Sequence, residues 1–336
     1  MHNSNDNNTE KKCNCKKHLK RTVVIAAFLC VIMVINSFLN YLLIPFSYVA
    51  ADCKNIYTNK YDTVFVGTSH GKCGINPEKY NESSGVKSVN LCLGGEYLSY
   101  TYYRVKDVCR KNSPDKIVYE LDPTYWITDE HIGPDSTLLF YNMEWSSVKT
   151  EMYIDKLADK DFRLTFFPWY IFRKEYQQIK DNVSNKNTSE KKSCCYSMFK
   201  NHAQEYKDGG FVYRNPSNAN DGWKGYVKWD RRKLNPETVK YFKKLVKFCK
   251  KNDVELIVIR TPVPDETLEK FKDLYDDSNE YFTNLTKEYG VKFLDFTSIK
   301  IDGLCTDYLS FCDSEGHFNG ENANIFSEKL AEYIEK

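Results

Sequence analysis

The sequence is short of the residues that most often announce a reaction. Histidine occurs six times in 336 residues. Cysteine occurs twelve times but never at zinc-ligand spacing: neither Cys13-x-Cys15 nor the Cys194-Cys195 pair with His202 fits, so no metal site is expected. Nine cysteines follow residue 50 (Cys53, Cys73, Cys92, Cys109, Cys194, Cys195, Cys249, Cys305 and Cys312), an odd number scattered through apparent strands and helices. They read as small buried hydrophobes rather than a disulfide framework, and only Cys305 and Cys312 are placed to bridge a loop. An excess of positive charge is also missing. Six of the 48 basic and two of the 46 acidic residues lie in the first 21, which leaves 42 and 44 beyond them and a net charge of −2. That balance excludes a nucleic-acid partner, which would need a basic surface.

Charge is missing altogether from Thr22 to Ile44, a run of 23 residues. About 20 apolar residues match the hydrocarbon thickness of a bilayer, and a basic flank stays on the cytoplasmic side. Residues 1–21 are therefore expected as a cytoplasmic basic tail, 22–44 as a single-pass transmembrane anchor, and the remainder outside. The small residues of "YVAAD" suit a cleaved signal peptide, but the apolar run exceeds the ~7–15 residues of a signal core, which favours an uncleaved anchor.

Beyond the anchor, β-rich runs occur at 62–68, 86–91, 116–121, 254–260 and 291–296. Between them, 97–112, 235–253 (Asn235 as cap, Pro236 at the first position), 265–290 and the C-terminal 18 residues carry apolar side chains three and four apart. Strands alternating with helices predict an α/β fold, a five-stranded parallel sheet between helical layers, over residues 55–336. The stretch 123–234 breaks the alternation and is expected to be a helical, aromatic-rich insertion. Its aromatics, Phe166, Phe167, Trp169, Tyr170 and Phe172 among them, should form a local core, with some facing a bilayer, a membrane partner or sugar rings. The polar run 180–193 reads as a loop.

In an open parallel sheet the ligand crevice lies at the carboxyl ends of the strands, at the point where strand order reverses. "VFVGTSHGKCGINP" (64–77) carries Ser69 to that edge. A serine hydroxyl is a poor nucleophile without a positioned base. His2 and His18 lie in the tail, His131 and His202 in the insertion, and His70, next to Ser69, is expected to point elsewhere. His317 remains, in "SFCDSEGHFNGENA" before the last helix, with Asp313, Glu315 and Asp307 as candidate orienting acids. Singly, a strand-end serine is more often a helix cap and a loop histidine a structural hydrogen-bond partner. Together with the Gly94-Gly95 pair after the second strand, they favour a site.

"GTSHGKCGINP" with the distal "GHFN" resembles the SGNH/GDSL superfamily, in particular its membrane-anchored bacterial branch, over residues 60–122 and 250–336. The resemblance implies a flavodoxin-like three-layer αβα fold, Ser69 as nucleophile, His317 as base, and Gly94 or Gly95 as an oxyanion donor, with no cofactor. Relatives in that branch O-acetylate exported polysaccharides or help D-alanylate teichoic acids, often beside a membrane-bound O-acyltransferase. A membrane-held acyltransferase acting on cell-surface glycan is therefore expected. The alternatives are an esterase that removes acyl groups, and a non-catalytic glycan-binding or assembly subunit. Two departures stand out. The family's acid usually lies three residues before the histidine, where this chain has Ser314, with Asp313 four before and Glu315 two before, so Asp313 is preferred as the acid. Asp122 occupies the region of the missing Gly-x-Asn-Asp block, as a substrate-binding candidate.

Overall fold

Short runs of Val, Ile, Phe and Leu fold as strands because they are too short for a helix and buried on both faces. The computed structural model describes residues 4–187, 200–216 and 227–335. The strands are β1 (Thr63–Val66), β2 (Ser88–Asn90), β3 (Lys116–Glu120), β4 (Gln204–Lys207), β5 (Phe211–Arg214), β6 (Glu255–Arg260) and β7 (Lys292–Asp295). Five of them form a parallel sheet in the order β2-β1-β3-β6-β7, as the periodicity predicts. The chain leaves β1 toward β2 on one side and returns to β3 on the other, so strand order reverses at β1/β3.

Alternate residues of each strand feed two layers. On one side Phe65, Val118, Ile257 and Ile259 join a core with Tyr80, Phe326 and Leu330, from the packed helices Pro77–Ser84 and Gly320–Ile334, and with Phe318 of the loop before the second. On the other, Tyr119 accepts a hydrogen bond from Trp126 Nε1 (3.3 Å), and the Trp126 ring packs on Phe242 and Phe282 of the helices Pro236–Lys251 and Lys272–Tyr289. Asn235 caps the first of these helices through the Glu237 N–H (2.9 Å). The 265–290 stretch differs from its reading as one helix: it breaks at Phe271 into Asp265–Lys270 and Lys272–Tyr289.

The stretch 123–234 is neither one body nor wholly helical. By contact, the chain divides into Met1–Phe46 with Asp161–Asn187, and Ser47–Lys160 with Thr188–Lys336. The second unit holds the sheet and an antiparallel hairpin, β4–β5, which no periodicity in the insertion announces. The first joins the long helix Ser4–Leu43, exposed along its apolar length, to the segment that carries most of the aromatics. Helix Ile179–Asn187 takes up the start of the polar run 180–193. The rest of that run and the Cys194-Cys195 pair lie outside the described residues. No Cys305–Cys312 bridge forms: Cys305 is exposed, and Cys312 Sγ faces the carbonyls of Asn215 (3.4 Å) and Phe318 (3.7 Å).

Phe318 is fully buried, stacked on Phe311 at 4.7 Å and packed on Phe326 at 5.4 Å. Phe318→Ala should lower unfolding stability by about 3–5 kcal/mol, the usual cost of emptying a buried phenylalanine site. Urea unfolding of the full chain in detergent measures it, and a loss below about 1 kcal/mol would contradict this placement.

Candidate active site

Ser69 is placed by the tight end of β1. Gly67 has φ +147° and sits so close to the end of β3 that a Cβ there would lie 2.4 Å from the Glu120 carbonyl oxygen. Thr68 then caps the helix Ser69–Gly74, accepting from the His70 N–H (3.4 Å), so the cap is Thr68 and the Ser69 hydroxyl is left for other partners. Glu120, buried at the end of β3, accepts from the Thr68 N–H (2.7 Å) and hydroxyl (2.8 Å) and ties the two strand ends together. Burial pushes the Glu120 carboxyl above the usual carboxylate range.

His317 reaches the same edge from a loop closed by the Phe311–Phe318 bridge and the Cys312 N–H to His317 carbonyl bond (2.7 Å). Gly316 turns that loop at φ +110°, against Val263, where a Cβ would come within 2.6 Å of Val263 Cγ1. The imidazole Nε2 lies 2.8 Å from Ser69 Oγ, and Nδ1 lies 3.0 and 2.9 Å from the two Asp313 oxygens. Asp313 Oδ1 also accepts the backbone N–H groups of Gly316 (3.2 Å) and His317 (3.1 Å), while Oδ2 accepts from Arg214 Nη1 of β5 (3.0 Å). Burial alone would raise the Asp313 pKa. The hydrogen bonds and charge of His317 and the Arg214 guanidinium outweigh it and hold the carboxyl well below the usual range.

That depression has a sign. The folded pKa lies below the unfolded value of about 3.9, so the stabilisation is full above about pH 4 and is lost as pH falls below it toward the folded pKa. The stability advantage of wild type over Asp313→Asn should therefore shrink as pH falls from about 4 toward about 2 in urea unfolding. A difference that does not change with pH would contradict the ionised, bonded carboxylate.

The remaining candidates occupy distinct places. Gly94 adjoins Ser69: a Cβ there would lie 3.9 Å from Ser69 Cβ, whereas one on Gly95 would face the Tyr125 hydroxyl at 3.8 Å. Asp122 Oδ1 accepts the Thr124 N–H (2.8 Å), capping the turn Pro123–Trp126, and Oδ2 lies 3.6 Å from His70 Nδ1. A carboxylate is acceptor-only, so Asp122 is no substitute for an oxyanion asparagine. Asp307 Oδ1 is occupied by the Ser310 N–H (3.1 Å) and hydroxyl (3.0 Å), and Glu315 lines the neighbouring cleft.

His70 does not point elsewhere. Its ring lies 4.3 Å from that of His317, tilted by 30°, and its Nε2 is buried without a hydrogen-bond partner among the described residues. A cleft starts at His70 and is lined by Asp122, Trp229, Arg260, Tyr275 and Glu315. Three further residues support the site. Arg214 holds the outer oxygen of Asp313. Glu120 binds the strand ends. Buried Asn90 donates to the carbonyls of Gly71 (2.8 Å) and Ile75 (2.7 Å) and accepts the Cys92 N–H (3.0 Å), fixing the Gly94 loop against the Ser69 helix. Asn90 stands at the end of a β-run, four residues before Gly94, a position the sequence does show. Arg214 has no such signal.

No family model matches the sequence, and no curated protein is detectably similar to it. Among solved structures, the chain is similar to a putative acylhydrolase from Bacteroides fragilis, 12% identical over 85% of this chain and 93% of that one, with a TM-score of 0.39. It is similar to a GDSL-like lipase from Bacteroides thetaiotaomicron at 8% identity, over 86% and 95% of the two chains, with a TM-score of 0.38. An acetyl xylan esterase matches at 10% identity over 82% of this chain and all of its own, with a TM-score of 0.39. Likeness of this degree says nothing about the reaction, and the functional reading rests on the side chains.

Proposed function

We propose that the chain is an SGNH/GDSL-type serine acyltransferase, held outside the cell by its N-terminal span, that modifies a cell-surface glycan by O-acylation, of the O-acetylation or D-alanylation kind. The observation that carries the reading is the continuous relay Ser69 Oγ to His317 Nε2 (2.8 Å) and Nδ1 to Asp313. His317 removes the hydroxyl proton as Ser69 attacks an ester or thioester carbonyl. Asp313 stabilises the imidazolium, and N–H groups near Ser69 and Gly94 receive the oxyanion. Collapse expels the donor's leaving group, which takes the proton from His317, and leaves an acyl-serine. An acceptor hydroxyl then gives its proton to His317, attacks the acyl-serine, and Ser69 leaves with the proton restored.

A sugar hydroxyl as acceptor makes the protein a transferase; water makes it an esterase. The anchor and the insertion favour transfer, since a transferase must sit near its polymer and limit water at the acyl-enzyme. A membrane-bound O-acyltransferase is the proposed supplier of acyl groups. The His317 side chain keeps 14% of its surface exposed, which leaves water a path to the acyl-serine and favours the esterase as second reading. The test measures ester-linked acyl groups on glycan from wild-type and Ser69→Ala cells, beside p-nitrophenyl ester turnover by the purified protein. Loss of acyl groups in the mutant with slow wild-type turnover supports transfer. Unchanged or increased acylation with brisk turnover makes it an esterase. No reaction of Ser69 with a fluorophosphonate probe leaves a non-catalytic binding subunit.

A further inference from the structure

The unit formed by Met1–Phe46 and Asp161–Asn187 carries a feature that neither acyl transfer nor a bare anchor requires. A helix that crosses a bilayer ends with four carbonyls that have no partner within the helix, and these are costly to leave unpaired away from water. Here all four are met, that of Asn40 also by the Ile44 N–H just past the helix (3.1 Å). Asn182 Nδ2 donates to the carbonyls of Leu42 and Leu43 (3.2 Å each), and Lys186 Nζ to those of Asn40 (3.4 Å) and Tyr41 (2.5 Å). The cation also suits the negative end of the helix dipole.

Deeper in the span stand two amides, Asn36 and Asn40, each expensive in hydrocarbon unless paired. Both are paired by the same segment. Asn36 Oδ1 accepts from Trp169 Nε1 (2.9 Å) and its Nδ2 donates to the Phe166 carbonyl (2.9 Å), while Asn40 Oδ1 accepts the Trp169 N–H (3.2 Å). Asn36 precedes the helix end at Leu43 by seven residues, which puts the Trp169 indole about 10 Å below that end. Ile32, Asn36, Leu39, Asn40, Leu42 and Leu43, all on one side of the helix, are covered by the fold, while Ile35 and Phe38 beside them stay exposed. The covering segment in turn exposes Phe162, Phe166 and Tyr176 at 60%, 52% and 62%. Its guanidiniums Arg163 and Arg173 lie on Tyr170, 4.2 and 3.8 Å from the ring centre, as expected where aromatic bodies meet a polar surface.

We propose that residues 161–187 form a collar embedded in the outer leaflet, latched to the span by Asn36, Asn40, Asn182 and Lys186, with lipid acyl chains as the occupant of its aromatic face. Continuity with the span selects lipid: Trp169 is bonded to a residue about 10 Å below the helix end, within the ~5–10 Å that interfacial segments reach. The inference rests on the anchor reading given above. Full-length protein reconstituted in vesicles of lipid brominated near the top of the acyl chain tests it by tryptophan emission, alongside carbonate washing. Wild type should be quenched more than Trp169→Phe. Asn36→Leu, which makes the span more apolar, should stay in the washed membrane but lose that extra quenching. Equal quenching of wild type and Trp169→Phe in protein that remains in the membrane overturns the collar and is the result if a protein partner covers this face. Full extra quenching retained in Asn36→Leu overturns the latch. Protein released by carbonate overturns the anchor reading, and the collar falls with it.

Discussion

Ser69→Ala and His317→Ala should each lower acyl transfer or ester turnover by about 10⁴-fold or more, and the double variant should be hardly worse than either single one, because the two groups act as one unit. Neither change should unfold the protein. Thr68, not Ser69, supplies the helix cap, and without the imidazole Asp313 still accepts the Gly316 and His317 N–H groups and Arg214. Unfolding midpoints should therefore stay within the range of surface substitutions, about 0.5 kcal/mol. The comparison needs the purified proteins, a p-nitrophenyl ester and a urea titration. Retention of a tenth or more of wild-type turnover in Ser69→Ala would end the nucleophile reading, and multiplicative losses in the double variant would mean that the pair does not work as a relay.

The parts of this molecule that were legible in the sequence are those whose signal is local. Short β-rich runs mark the five strands, which are buried on both faces, and a 3.6-residue period marks the helices between them, each of which buries one face against the sheet. The pairing of Ser69 with His317 is legible by counting along the chain, since few histidines can reach a serine at this strand end. Arg214 was not legible. It comes from a hairpin inside the stretch where alternation fails, and its meeting with Asp313, 99 residues later, depends on tertiary packing alone. His70 was misjudged because successive side chains were treated as pointing apart. That holds in a strand, where they alternate by half a turn, but Ser69 and His70 open a helix, where neighbours differ by about 100° and can face the same histidine. The aromatics of 161–187 are expected to form a local core with some facing a bilayer, a membrane partner or sugar rings. Phe162 packs on Phe167 and Trp169 on Tyr170, and the segment also lies with the helix Ser4–Leu43, for which the cue is polar: two asparagines in a span otherwise suited to lipid.

Asp313→Asn should cost about 10⁴-fold in turnover while leaving the loop in place, and the reason is the way its two oxygens are shared. Oδ1 accepts two backbone N–H groups, so the asparagine carbonyl oxygen is held at that position. Its NH₂ then replaces Oδ2, which in the wild type faces His317 Nδ1 (2.9 Å) and Arg214 Nη1 (3.0 Å). An amide N–H aimed at Nδ1 makes that nitrogen the acceptor, so the ring's single proton moves to Nε2, where it meets Ser69 Oγ and can no longer receive the serine proton. The same NH₂ opposes the Arg214 guanidinium, a donor facing a donor. Arg214→Met should behave differently. It removes a bond to a carboxylate that keeps its other partners and leaves the tautomer intact, so turnover should fall by about tenfold, the effect of roughly 1.4 kcal/mol. In the Asp313→Asn background Arg214→Met should cost nothing or give a slight gain, since it removes the opposed donor. A steady-state comparison of the four proteins on one ester decides the matter: a full tenfold loss from Arg214→Met in both backgrounds would mean that Arg214 acts on substrate rather than through Asp313.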